Sequence, residues 1–200
     1  MSRARSLISS QRGMVLVSSL LLLVVVTILA IGMFHSLGLD EKIASNTREK
    51  QRALQAAVSA EQFAEWWLSI GNTVSNVNCS AMVTAPASVQ VCSNILPTVV
   101  GGAAYIASAL PWSVSGVPVG VNYTPPGMTT ATGAGITAGT YYQNPVFYIS
   151  YLGVGTGPNG APGNLYQIDA AGYGGSPNSA AVVESTYILQ TSTQNLSGGQ

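Results

Sequence analysis

Few side chains in this chain are equipped for chemistry, and they are unevenly placed. Cys79 and Cys92 are the two cysteines and His35 the one histidine, while all seven lysines and arginines lie at or before Arg52. Residues 71 to 200 carry only Asp169 and Glu184 as charges. Nucleophilic catalysis needs a base beside its Ser, Thr or Cys, and the C-terminal part has hydroxyls in quantity with no histidine or lysine to activate them. Asp169 and Glu184 offer the pair of acids that glycoside hydrolysis requires. Two isolated acids on neighbouring strands of a charge-poor sheet read more simply as surface residues. A metal site lacks ligands, because His35 stands at the end of an apolar run. No catalytic, cofactor-binding or metal-binding residue is therefore expected, and the chain reads as a non-enzyme. Without a basic patch the C-terminal part has no means of displacing counterions from a nucleic acid, so no such partner is expected either. Cys79 and Cys92 pair in an oxidising compartment, closing a loop worth about 3 kcal/mol in the chain-entropy model; in a reducing one they remain two free thiols.

The compartment follows from the stretch that organises the chain. Residues 14 to 34 hold no charge, and their polar side chains are Ser18, Ser19 and Thr27. As a helix this run reaches about 31 Å, close to the hydrocarbon thickness of a bilayer. Arg3, Arg5 and Arg12 precede it, with no acid before Asp40. The positive-inside rule then keeps the N-terminus in the cytoplasm and exports the rest, which favours the Cys79–Cys92 disulfide over free thiols. A cleaved secretory signal, a plain anchor and a pilin leader share this layout. The apolar core is too long for an ordinary signal, although Ala30-Ile31-Gly32 has the small-x-small form of a signal cleavage site. In Gln11-Arg12-Gly13-Met14-Val15-Leu16 a glycine follows a basic residue and abuts the run. This resembles the site of prepilin peptidase, which implies cleavage between Gly13 and Met14 and N-methylation of Met14.

The elements that carry these residues divide the chain into five stretches: a leader over 1–13, an apolar half-helix over 14–37, an exposed half-helix over 38–71, a head over 72–190 and a tail over 191–200. Leu37 to Ile70 is free of proline and rich in helix formers, so one helix from Met14 to Ile70 would run about 86 Å. Ala53, Ala56, Ala57, Ala60, Phe63, Ala64, Trp67 and Ile70 step by three or four along one face, and Gly71 is a natural stop. Asp40, Glu41, Lys42, Arg48, Glu49, Lys50 and Arg52 form a zwitterionic collar, read either as a solvated face or as a contact zone between subunits. Turn signals fill residues 72 to 144, at Gly101-Gly102, Gly116, Pro125-Pro126-Gly127 and Gly133 to Gly135, and Val114 to Val121 offers a weak edge strand. Tyr105, Trp112, Tyr141 and Tyr142 are candidates to pack under these loops. Val146 to Leu152, Leu165 to Ala170 and Ala181 to Gln190 read as three strands of an antiparallel meander, with Phe147, Ile149 and Tyr151 on one face. That sheet is expected to bury Ala57, Ala60, Ala64 and Trp67. The fold class is α+β, a long N-terminal α-helix packed on a C-terminal antiparallel β-sheet.

This layout resembles a type IV pilin. More narrowly, Gln11-Arg12-Gly13, Leu39-Asp-Glu-Lys-Ile-Ala44 with Asn46-Thr-Arg48, Gln55-Ala-Ala57, Glu61 to Trp67, Gly172-Tyr-Gly-Gly175 and Val182-Val-Glu-Ser-Thr-Tyr187 are similar to the PilX-like minor pilins. The resemblance implies a low-abundance, tip-proximal subunit that helps to start a pilus. Its implied partners are other minor pilins, the major pilin, prepilin peptidase, the inner-membrane assembly platform and a large tip adhesin. Its implied location is the inner membrane, single-pass with a periplasmic C-terminus, and then the cell-surface pilus. Major pilins carry glutamate at the fifth mature position, where this chain has Ser18. A minor pseudopilin of type II secretion and a membrane-anchored binding protein are the alternatives.

Overall fold

A computed structural model of the chain describes residues 12–72, 77–96, 99–100, 103–104, 110, 112–114, 116–131, 137, 139–158 and 160–190. The leader before Arg12, the tail 191–200, Gly101-Gly102, Gly133 to Gly135, Tyr105 and the side chain of His35 lie outside the described residues. Two compact units divide the chain, Met1–Asn46 and Thr47–Gln200. Helix α1, Arg12–Ser69, contributes to both. It ends where expected: Gly71 adopts φ +93°, its N–H bonds the Leu68 carbonyl at 3.1 Å, and the Asn72 amide donates to the Trp67 carbonyl at 3.1 Å. A positive φ is cheap only for glycine, which is why the helix stops there.

The strands are β1 Met82–Thr84, β2 Val99–Val100, β3 Ala103–Ala104, β4 Ser113–Val114, β5 Val117–Pro118, β6 Gly120–Asn122, β7 Val146–Thr156, β8 Pro162–Tyr173 and β9 Ala180–Gln190. β2–β3 and β4–β5 are small hairpins, and a five-stranded sheet has the order β1-β6-β7-β8-β9. β7, β8 and β9 form the expected antiparallel meander, extended by antiparallel β6 and, beyond it, by β1, which runs parallel to β6. The stretch read as a weak edge strand from Val114 to Val121 thus divides between a hairpin and β6, which lies inside the sheet. β7 and β8 outrun their expected ends because Gly153, Gly155 and Gly163 pair within the ladder, with a register shift between Tyr151 and Gly153. Glycine at such positions bends a ladder without ending it.

Both faces of the sheet are covered. On one, Ala60, Ala64 and Leu68 of α1 pack with Phe147, Ile149, Tyr166, Ile168 and Ala170. Phe63 stacks on Tyr123 with centroids 4.4 Å apart. Leu68 completes this stripe where the periodicity pointed to Ile70, which is exposed. The α-helical step of 3.6 residues carries a stripe of threes and fours gradually round the helix, so Ile70 leaves the face that Leu68 joins. On the other face, Cys79, Cys92, Leu96, Trp112 and Val119 pack with Val146, Tyr148 and Ala171.

Candidate functional site

Gly13–Met33 is 21 residues long, with mean hydropathy 3.0, and none of it is buried. Its polar side chains close on their own helix. The Ser18 hydroxyl donates to the Val15 carbonyl at 3.0 Å, Ser19 to Leu16 at 2.9 Å and Thr27 to Val24 at 2.8 Å. Each hydroxyl is thus satisfied one turn back, as a lipid environment requires. A helix apolar all round must be covered by a membrane or by other helices. Gly13 and Met14 lie in the first turn of the described helix, Met14 is exposed, and a Cβ built on Gly13 meets nothing within 4 Å.

Within the second unit, Cys79 and Cys92 form a disulfide with Cα atoms 5.4 Å apart. It holds two short segments against the sheet. The Cys92 N–H donates to the Ile149 carbonyl at 2.8 Å and the Tyr151 N–H to the Cys92 carbonyl at 2.9 Å, so Cys92 continues the ladder beside β7 where β6 has ended. Val77 pairs beyond it. Asn94 fixes the same bridge in a way that sequence inspection did not single out. Its Oδ1 accepts from the Cys79 N–H at 2.8 Å, its Nδ2 donates to the Cys79 carbonyl at 3.0 Å, and its own carbonyl accepts the Tyr148 hydroxyl at 2.8 Å. A polar residue beside a cysteine was the available signal, but its partners are set by tertiary contact.

The collar is neither wholly solvated nor wholly left for a neighbour. Glu49 and Arg52 pair at 2.9 Å, and the Glu49 carboxylate accepts the Gly175 N–H at 2.5 Å. Arg52 donates to the Thr140 carbonyl at 2.6 Å and sits 4.5 Å above the Tyr141 ring. The Gly175 N–H holds the Glu49 carboxyl below its ordinary pKa, partial burial opposes this, and Arg52 and Arg48 reinforce the lowering. These two charges clasp the β8–β9 turn and Thr140-Tyr141 to α1, a role absent from both sequence readings. Beside the clasp the backbones nearly touch. A Cβ on Gly172 would lie 2.5 Å from the Ala53 carbonyl oxygen and from the Ala57 nitrogen, and one on Gly174 would lie 2.6 Å from the Glu49 carbonyl oxygen. Gly172-Tyr-Gly-Gly175 and the alanines of α1 are two halves of one close contact.

Asp169 and Glu184 do stand directly opposite each other on β8 and β9. Glu184 is exposed, but Asp169 is fully buried, which corrects the reading of both as surface residues. Tyr148, its partner on β7, fills the space beside it, and Gln167 donates to both its carboxylate oxygens at 3.2 Å. Burial raises the Asp169 pKa to about 6, Gln167 moderates the rise and Glu184 adds to it.

The sequence matches the family described as PilX N-terminal over residues 12–59, and that described as type IV pilus assembly protein PilX C-term over residues 51–189. The chain belongs to the PilX family. Membership makes it a type IV pilus assembly minor pilin, a structural class of protein, and the observed α+β arrangement is consistent with a pilin-like fold. The two PilX matches overlap on residues 51–59, the part of α1 that carries Arg52 and passes under Gly172. No curated protein and no solved structure matches the chain.

Proposed function

We propose that this PilX family member is cleaved after Gly13, N-methylated at Met14, and held in the inner membrane by residues 14–37 with its head in the periplasm. There it joins other minor pilins in starting pilus assembly and enters the filament near the tip. The observation that carries the reading is the exposed apolar surface of Gly13–Met33 on the same helix that bears the head. Residues 38–71 extend that helix, 72–190 form the head and 191–200 the tail. A processed leader and a helix apolar all round together suit a subunit that leaves the bilayer for a helix-packed filament core. The PilX matches favour a pilus over a type II secretion pseudopilus.

Ser18 supports the initiating position. A carboxylate at the fifth mature residue is useful to a subunit that docks below another and must neutralise its terminal amine, because an unpaired charge in low dielectric is costly. A subunit that goes in first meets no amine. Ser18 instead closes on the Val15 carbonyl and carries no charge. Intact-protein mass spectrometry is expected to find N-methylated Met14 at the terminus; recovery of the whole leader, or of a terminus at Met33, contradicts the pilin reading. Deletion is expected to lower the number of surface pili counted by electron microscopy, and Ser18→Glu to restore no more pili than wild type. A clear increase with Ser18→Glu would place the subunit inside the filament.

A further inference from the structure

The two edges of the head's sheet differ in kind. β1 is three residues long and passes at once into the turn that holds Pro86, where the Ser88 N–H bonds the Thr84 carbonyl. A short edge beside a proline turn is a common way of blocking further pairing. β9 is eleven residues long, contains no glycine or proline, and pairs with β8 without a register shift. Its one charge is Glu184. Among the described residues β8 is its only strand neighbour, so about every second residue of β9 turns its N–H and C=O outward. An edge of this length and flatness is a template for another strand.

A groove runs along the same edge. Thr47, Lys50, Gln51 and Leu54 of α1 form one wall, and Ala180, Ala181, Val182 and Glu184 of β9 the other, around a volume of about 630 Å³. The helix residues follow the spacing of a single face. Leu54 is half exposed, and the alanines opposite leave the space above it unfilled. Lys50 stands on the helix wall and Glu184 on the strand wall, and no ion pair joins them. No lysine or arginine follows Arg52 in the chain.

We propose that β9 is a docking edge for a β-strand of another polypeptide. The incoming segment pairs its main chain with β9, seats a large apolar side chain over Leu54, and sets a basic side chain opposite Glu184. Outward N–H and C=O groups at strand spacing are complementary to an extended backbone, which supplies both donors and acceptors at the same repeat. Strand addition sends alternate side chains of the guest to the two faces of the sheet, one set meeting Leu54 and Ala181 on the helix side and the other flanking Val182 and Glu184 on the side that carries the disulfide. Cross-strand partners of opposite charge attract and like charges repel, so Glu184 selects a base at the facing position. Lys50, on the helix side, disfavours a base among the guest side chains that face α1. This surface belongs to the folded head and holds whether or not the chain initiates a pilus.

Full-length protein in detergent micelles provides the test. The probe is a synthetic peptide of about nine residues, alternating valine and threonine with one leucine and a central lysine, long enough to cover most of β9. A second peptide has glutamate for the lysine, and a third has proline at alternate positions. Hydrogen exchange followed by mass spectrometry is expected to show the amides of 180–190 slowed about ten-fold by the lysine peptide at a concentration ten times its Kd, with β1 unchanged. Fluorescence anisotropy is expected to show the lysine peptide binding about five-fold tighter than the glutamate peptide, and Glu184→Lys to reverse the order. Protection by the proline peptide equal to that by the lysine peptide overturns strand pairing. Equal binding of the two charged peptides overturns the role of Glu184. Absence of slowing at up to about 1 mM peptide overturns the docking edge. So does free-state exchange in β9 as slow as in β8 that is lost in a variant ending at Gln190, since residues 191–200 would then cover the edge themselves.

Discussion

Two stretches of one helix, Gly13–Met33 and Ala53–Leu68, are both rich in apolar residues and meet opposite fates. The first is built of Leu, Val and Ile, and none of it is buried. The second is built on Ala53, Ala56, Ala57, Ala60 and Ala64, all buried against the sheet. Side-chain size separates them. Alanines and the facing Gly172 and Gly174 allow two backbones to meet inside one molecule, so that stretch satisfies itself on folding. Large side chains distributed all round a helix cannot all face one domain, so the other stretch is finished only by lipid or by other helices.

The sharpest way to break the comparison is to damage one stretch's environment and read both. Phe147→Ala empties space under Ala60, Ala64 and Phe63, and is expected to destabilise the head by about 3–5 kcal/mol in thermal or urea unfolding, leaving membrane association intact. Val25→Asp does the reverse. It is expected to cost about 3 kcal/mol of membrane insertion, seen as protein lost from the membrane fraction, with the melting of the head unchanged. If Val25→Asp lowers the head's stability as much as Phe147→Ala does, the two stretches are not energetically separate.

Two carboxylates of the head sharpen the same contrast with smaller effects. Burial raises the Asp169 pKa to about 6 from an ordinary 3.8. Between those values the native state keeps a proton that the unfolded chain has lost, so stability falls as pH rises through about 6. Asp169→Asn is expected to stabilise the head by about 2–3 kcal/mol at pH 7.5 and to change it little at pH 3.5. Glu49 has the opposite sign. Its pKa is held below 4.5, so the clasp's contribution is complete above that value and is lost on acidification through the lower folded value. Arg52→Ala removes the Glu49 partner and the Thr140 bond, and is expected to cost about 1.5 kcal/mol at pH 7; urea unfolding at the two pH values reads both variants.

Much of the fold was legible because it rests on local rules. Period-two runs rich in aromatic and β-branched residues marked β7 to β9, and a glycine after a periodic face marked the end of α1. β1 was not legible, and β6 only as the end of a stretch read as a weak edge strand. Each is three residues long, too short for a period to show, and each exists because a neighbour supplies its hydrogen bonds. The same holds for the ladder position of Cys92, where the residue type was visible and the β7 groups it meets were not. Ser18 could be read as a departure from pilin glutamates, but its bond to Val15 required the helix.

Composition and order by themselves determined that this chain has an apolar helix of membrane length, a charged junction, an alanine face and a three-strand meander. Those are properties of residues within a turn or two of one another, and they survive without knowledge of distant contacts. Only the tertiary structure decided that Glu49 and Arg52 hold Gly175 and Thr140 instead of facing solvent, and that Gly172 is a site of backbone contact more than a turn. It also decided that Asp169 is buried while Glu184 beside it is not. Charge and burial of single residues depend on which distant segment arrives next to them, and a sheet covered on one side by a helix and on the other by a disulfide-held segment leaves different cover over adjacent strands.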